Sequence, residues 1–474
     1  MSYDLLIKGG TLVDPANTRE GQFDLAIAKG KVVSVEREID PGRAHQVYEA
    51  HGRLVLPGLV DTHVHLTPAT RAVGFHMLAK AGVTTALDCA GPVEVVLEGM
   101  AKKGSGINVA VLNRLTPDGS LSSADAPFSE VQAYVAQSLA DGAFGIKLIG
   151  GHLPLTPETT AAAMQAANEF HCYTAYHCGT TRQGSNLGGL LEAFDLVGEN
   201  RLQICHISAY CRGLTHGSPV EECLIALKGL SQRPHLVSES HLGPLNSCWS
   251  RLNENGVPYS HVTRTCLLSG GYKADTEGLL AAARDGHLRV QRAYPSEVIY
   301  LPQDEGEAYL KETGFETMVS FPVNKRSTAF LCATEKDEAG NFIVTALSTD
   351  GGAIPRNFLL SHGMSLVRFN ALTLSEFVLK ASWAPARMLG LFDKGHLGPG
   401  CDADLVVVDS RSHSALLTVV GGQVIMSDGV VLGRGGTLLT TAHGSKALNA
   451  QGVDHQVVDL SNSLFYTAPE GFPS

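Results

Sequence analysis

Cysteine is scarce in this chain and follows no pattern. Ten cysteines among 474 residues form no Cys-x-x-Cys pair and no framework spacing, and Cys89, Cys205 and Cys332 sit in apolar, strand-like runs. That excludes a disulfide-stapled secreted scaffold and fits reduced thiols in a cytoplasmic protein. No window holds about 18 consecutive apolar residues, so nothing reads as a membrane span. The opening MSYDLLIKGGTLVD lacks the charged, apolar and small-residue regions of a signal peptide. Basic stretches are missing too. Lys and Arg number 36 against 47 Asp and Glu, a net charge of −11, which argues against a nucleic-acid partner or an anionic membrane surface. Aromatics are only 6%, and no internal repeat or low-complexity segment is evident. With 44% hydrophobic and 18% charged residues the chain is globular, neither disordered, collagenous nor coiled-coil.

What is plentiful is glycine, at 51, and histidine, at 19. The first 50 residues read as short strands, DLLIKGGTLVD and FDLAIAKGKVVSVE, and the C-terminal text ADLVVVD and ALLTVVGGQVIMSDGVVLG repeats that style. Neither end can bury a core alone, so the economical reading is one small β-domain built from residues 1–52 and 395–474. Between them the rhythm changes. Short apolar runs alternate with helical stretches, the signature of βαβ units and a parallel sheet. Counting from LVLPGLVDTHVH to FIVTALSTD gives eight strands, the number of a (β/α)₈ TIM barrel, here over residues 53–394. From about 241 to 341 the alternation lapses into text rich in Pro, Gly and charge without the periodicity of buried elements. That stretch reads as a lid or inserted subdomain at the barrel mouth, or as an oligomer contact.

In Gly58-Leu-Val-Asp-Thr-His63-Val-His65, alternation turns His63 and His65 to one face, and at the C-terminal end of a barrel strand that face is the mouth. Other ligand types end strand-like runs at the same level: Lys147, His177, His206 and Asp350. Singly, each has a plain alternative: a lysine reaching solvent, satisfied core histidines, an aspartate capping the next helix. Six at one end of one sheet point to a metal site.

This set, with LPGLVDTHVHL and GHLGPGCDADLVVVD, resembles the amidohydrolase superfamily, and within it the hydantoinase, dihydropyrimidinase and dihydroorotase group. The resemblance implies a barrel beside a β-sandwich made of both termini, and two divalent ions, zinc by donor type. His63, His65 and Asp350 would hold one, His177 and His206 the other, with Lys147 carboxylated as the bridge. Burial beside cations would depress the Lys147 pKa and free the amine for CO₂. The implied reaction is attack of metal-bound hydroxide on a cyclic amide, imide or ureide, with Asp350 shuttling the proton. A homo-oligomer, tetramer or dimer, is implied as well. The alternatives are a linear amide hydrolase like isoaspartyl dipeptidase or N-acyl amino acid deacylases, and a non-catalytic scaffold.

Departures from the family bear on substrate. Thr67 stands where dihydroorotases carry a carboxylate-clamping arginine, which argues against dihydroorotate. His152 replaces the hydantoinase oxyanion tyrosine and either donates the same hydrogen bond or is an exposed loop imidazole. After the last strand, Gly351 and Gly352 would let backbone approach the substrate, and Arg356 either meets a substrate carboxylate or pairs on the surface. Asp88, Glu239 and His241 end strands and are candidates to line the mouth, and Arg264, Lys325 and Arg326 lie in the lapse region. Alternation turns Cys178 and Cys205 away from the metals as packing residues.

Overall fold

The computed structural model describes residues 2–67 and 72–467. Its N-terminal strands are β1 (Tyr3–Asp14), β2 (Arg19–Ala28), β3 (Lys31–Glu36), β4 (Ala44–Glu49) and β5 (Leu54–Pro57). β5 runs through Gly58 into the barrel, whose strands are β6 (Leu59–His65), β7 (Val83–Asp88), β8 (Ser105–Leu115), β9 (Gly145–Ile149), β10 (Tyr173–His177), β11 (Gln203–Ile204) and β12 (Val237–His241). The excursion after β12 carries β13 (Asn246–Trp249), β14 (Arg289–Ala293), β15 (Val298–Tyr300) and β16 (Met318–Phe321). The eighth barrel strand is broken in two: β17 (Ala346–Ser348) pairs with β12, and β18 (Gly351–Gly352) pairs with β6, closing the ring. The chain then returns through β19 (Leu405–Asp409), β20 (Ser414–Val420), β21 (Gln423–Ser427) and β22 (Val430–Val431), and ends with β23 (Gly435–Thr440) and β24 (His455–Val457).

The terminal sheet has the order β22-β21-β20-β19-β5-β1-β2-β3, with β4 also on β1. Both ends of the chain therefore share one core, in which Leu5, Ile7, Leu25 and Ile27 meet Leu405, Val407, Leu417 and Val419. β23 departs from that plan. It pairs in parallel with β8, and β24 follows it, so residues 435–457 lie on the barrel and not in the composite β-domain that includes them by sequence. The reason is a free edge: β9 pairs with β8 only from Leu112 onward, leaving Ser105–Ala110 open for β23.

Inside the barrel the alternation is regular. Ala110 and Leu112 of β8, Tyr173 and Ala175 of β10 and Val237 of β12 face inward, while Val109, Val111, Ile146, Leu148 and Tyr176 face the surrounding helices. In the lapse region one expectation is corrected, for the stretch does contain regular elements with buried faces. Residues 246–321 build a four-stranded antiparallel sheet, β13-β16-β14-β15, with helices His261–Ser269, Thr276–Arg284 and Gln303–Glu312 packed on it. Leu267, Leu279, Ala282, Leu288, Val290, Leu310, Val319 and Phe321 are its buried core. The charged run from Gln303 is the first turn of a helix, where Asp304 and Glu305 complement the dipole. Cys332 lies on a helix, Arg326–Thr334, and not in a strand. Among the described residues no helix is long and apolar enough to cross a membrane.

Candidate metal centre

The six donors converge at the C-terminal end of the barrel, around a cavity of about 520 Å³. His65 Nε2 and Asp350 Oδ1 are 2.8 Å apart, and His63 Nε2 is 3.6 Å from the same oxygen. His206 Nε2 lies 3.1 Å from His177 Nδ1. Lys147 Nζ is 3.4 Å from His63 Nε2, and Lys147 lines the same cavity as His177 and His206. His63, His65 and Asp350 are close enough to share one ion. Burial, reinforced by the neighbouring cations, holds His63, His177 and His206 well below the ordinary imidazole range, so all three offer lone pairs at neutral pH. Among the described residues His206 Nδ1 is buried without a hydrogen-bond partner. Neutral imidazoles around a buried carboxylate fit divalent cations.

Local backbone explains how these side chains arrive. β6 has a register shift between Asp61 and Val64, after which His63 and His65 share the inner face. His206 and Asp350 both adopt the left-handed conformation, with φ of 33° and 52°. This corrects the reading of Cys205. Alternation along β11 turns Gln203 and Cys205 inward, and the left-handed turn brings His206 in after them. Lys147 Nζ consequently donates to Cys205 Sγ at 2.6 Å, and Cys89 lines the same cavity. Cys178, by contrast, packs outward against the helices, as expected. The expected depression of Lys147 concerns the cation-loaded centre; without an ion the balance is different. Burial lowers its pKa, but Cys205, Cys89 and Glu239 outweigh burial and hold the ammonium above its ordinary value.

Glu239 is the group that sequence reasoning underweighted. It is fully buried on the inner face of β12, and its Oε1 lies 2.7 Å from His63 Nδ1 and accepts the His206 backbone N–H at 2.6 Å. The Ser348 hydroxyl donates to its other oxygen. Burial pushes the carboxyl up to about 7. Facing His63 Nδ1, it leaves Nε2 for the centre, the arrangement that fixes a metal-binding tautomer. Its spacing of two residues from His241 on one strand was the available signal. His241, pushed down to about 4 by burial, faces Asn324 Nδ2 at 3.4 Å. Asp88 does not line the mouth as a free group. Its carboxylate accepts the backbone N–H groups of Leu66, Ala90 and Gly91 and so braces the loops after β6 and β7.

His152 lies in the cavity wall, half-buried, with its ring 5.1 Å from that of His177 and its pKa pushed down to about 4 by burial. Gly151 makes that approach possible, since a Cβ there would meet His177 Nε2 at 2.0 Å. Gly351 and Gly352 serve the protein's own packing. A Cβ on Gly352 (φ 76°) would strike the His65 carbonyl oxygen at 2.5 Å, and one on Gly351 would strike Asn357 at 2.3 Å. Arg356 is neither a surface residue nor free for substrate. It is 2% exposed, its NH2 is 2.5 Å from Asp350 Oδ2, and it donates to the backbone carbonyls of Asp350 and Leu245. Burial raises the pKa of Asp350, but Arg356, His63 and His65 outweigh it and hold the carboxyl well below the usual range. The sheet after β12 roofs the cavity with Trp249, Arg251, Tyr259 and Met318, and Arg264 donates to the carbonyls of Pro258 and Tyr259. Lys325 and Arg326 are exposed and do not line the cavity.

An amidohydrolase-family model matches residues 278–441. The chain is 24% identical over 445 residues to a dihydroorotase of Elusimicrobium minutum, covering 85% of this chain and 88% of that one. Among solved structures, it superposes on N-acyl-D-glutamate deacylase from Bordetella bronchiseptica, a zinc complex, with a TM-score of 0.65 at 15% identity, covering 92% and 99% of the two chains. Dihydropyrimidinase from Brevibacillus agri gives 0.59 at 16% identity, covering 91% and 97%. The chain is thus similar to amidohydrolases: the family model matches about a third of it, the dihydroorotase likeness runs over most of its length, and the solved structures share its fold.

Proposed function

We propose that this protein is a binuclear metal-dependent hydrolase that opens the C–N bond of a cyclic amide, imide or ureide. The observation that carries the reading is the convergence of His63, His65, Lys147, His177, His206 and Asp350 on one cavity, with His65 against Asp350, His206 against His177 and Lys147 against His63. His63, His65 and Asp350 would hold one ion and His177 and His206 a second, zinc by donor type, with a carboxylated Lys147 between them. Bound there, such ions lower the pKa of water and polarise the scissile carbonyl.

The rest of the chemistry belongs to the side chains. Arg356 pins Asp350 Oδ2, so Oδ1 is the oxygen left to accept a proton from water and return it to the leaving nitrogen. His152, neutral because its pKa sits near 4, can donate an N–H to the developing oxyanion. Carboxylation of Lys147 needs the free amine, whereas its thiol and carboxyl neighbours favour the ammonium. It therefore belongs with the cation-loaded state, where the local field is reversed.

A linear amide, as in N-acyl amino acids, is the second reading. The cavity of about 520 Å³ favours it, being roomier than a bare six-membered ring requires. A turnover screen of the zinc-loaded protein over hydantoins, dihydropyrimidines, lactams, imides and N-acyl amino acids tests both. Hydrolysis of a ring substrate supports the first reading, hydrolysis of N-acyl amino acids alone the second, and no turnover at two ions per chain sinks both.

A further inference from the structure

Three arginines line the cavity among the described residues: Arg114, Arg251 and Arg356. Two are already engaged. Arg356 is locked to Asp350, and Arg251 Nε is 3.0 Å from a Glu316 carboxylate oxygen. The Arg114 guanidinium has neither ion pair nor hydrogen bond among the described residues. Only its backbone is engaged, its carbonyl accepting the Tyr134 hydroxyl at 2.9 Å.

The fold aims this free guanidinium at the centre. Ala110 and Leu112 of β8 face the barrel interior while Val109 and Val111 face outward, so Arg114 is the next inward position, at the open end. In the β8–β9 register Arg114 stands directly opposite Lys147, about 5 Å away across the sheet. Charge points the same way. The chain carries −11 overall, yet with Asp350 and Glu316 each matched by an arginine, Arg114 remains as an unneutralised cation in the cavity wall. Guanidinium groups in such settings bind carboxylates bidentately.

We infer that Arg114 is a specificity-determining residue, the clamp for a carboxylate that the substrate carries beside its scissile amide. The inference rests on the amide-hydrolase reading and narrows it to acidic ring amides or N-acyl amino acids. It also gives Arg114 the role that the sequence suggested for Arg356.

Matched probes that differ only in the acid test it on the full-length, metal-loaded protein: hydantoin-5-acetic acid against hydantoin, and N-acetylalanine against N-acetylalaninamide. Wild type should prefer the acid of whichever pair it hydrolyses. Arg114→Gln should reduce that preference about ten- to a hundredfold, the worth of a charge-assisted hydrogen bond, mainly through KM. Arg114→Lys should retain part of it. A wild type indifferent to the carboxylate, or equal losses on both members of a pair, overturns the proposal. Binding supplies a readout that needs no turnover. Trp249, one of two tryptophans, lines the same cavity, so fluorescence quenching by hydantoin-5-acetic acid and by hydantoin compares their affinities directly. Tighter binding of the acid, lost in Arg114→Gln, supports the clamp even where the hydrolase reading fails, and equal binding overturns it. Thermal melts establish that both variants are folded.

Discussion

Replacing Glu239 with glutamine tests how the centre is held together. Three donors meet on this buried carboxylate, from His63 Nδ1, the His206 backbone and the Ser348 hydroxyl. Glutamine keeps the volume but removes the charge, so the bonds from His63 and the His206 backbone lose their ionic character, and its amide can be satisfied only if the Ser348 hydroxyl turns to accept. A hydrogen bond to a charged group contributes roughly 1.5–3 kcal/mol, and a buried donor left unsatisfied costs about 1–3 kcal/mol. The loss falls on the orientation of His63 and on the turn that delivers His206. Zinc affinity should therefore drop about 10–100-fold, as is usual when the group behind a metal-binding imidazole is removed, or about 1.4–2.7 kcal/mol. Competition against a zinc chelator measures the affinity, and thermal melts with and without chelator separate metal binding from folding. An affinity within threefold of wild type would falsify the assignment of Glu239 as the group that fixes these ligands.

Four further outcomes follow from the geometry. Carboxylation of Lys147 should accompany metal loading, so ¹³C-bicarbonate should give a carbamate signal that chelation abolishes; a fully metallated protein without that signal refutes the bridge. Asp350→Asn should lower kcat by about 10²–10⁴ and also lower Tm, because Arg356 is left as an unpaired buried cation. Adding Arg356→Met should recover Tm but not kcat, and an unchanged Tm in the single variant contradicts the pairing. The metal-free protein should lose stability as pH falls from about 6.5 to 4. His152 and His241, with folded values near 4, and His63, His177 and His206, lower still, take up protons only on unfolding. Asp61 and Glu239, both raised to about 7 by burial, work the other way over the same range but are fewer; melts in chelator across that interval check the sign. Arg264→Ala frees the loop bearing Tyr259 and should raise KM several-fold at unchanged assembly size, whereas Arg326→Ala, away from the cavity, should change neither.

Local periodicity was enough to read the barrel, the shared terminal sheet and the six candidate ligands, because strand alternation and turn chemistry are written in neighbouring residues. His63 and His65 share a face by spacing alone, and Lys147 in the middle of β9 and His177 at the end of β10 both stand on inward positions. What lay beyond sequence depends on departures from that periodicity and on partners far along the chain. His206 and Asp350 reach the centre through left-handed backbone, which reverses the face that counting assigns and turns Cys205 toward Lys147. The lapse region hid a folded sheet, because its short helices and strands bury their apolar faces on one another instead of on the barrel. Glu239 and Arg356 owe their roles to groups reached only after folding: His63 lies 176 positions before Glu239, and Leu245 lies 111 before Arg356. Arg114 stands opposite Lys147 only because β8 and β9 pair in one particular register. Such placements come from long-range packing and strand register, which no local pattern encodes.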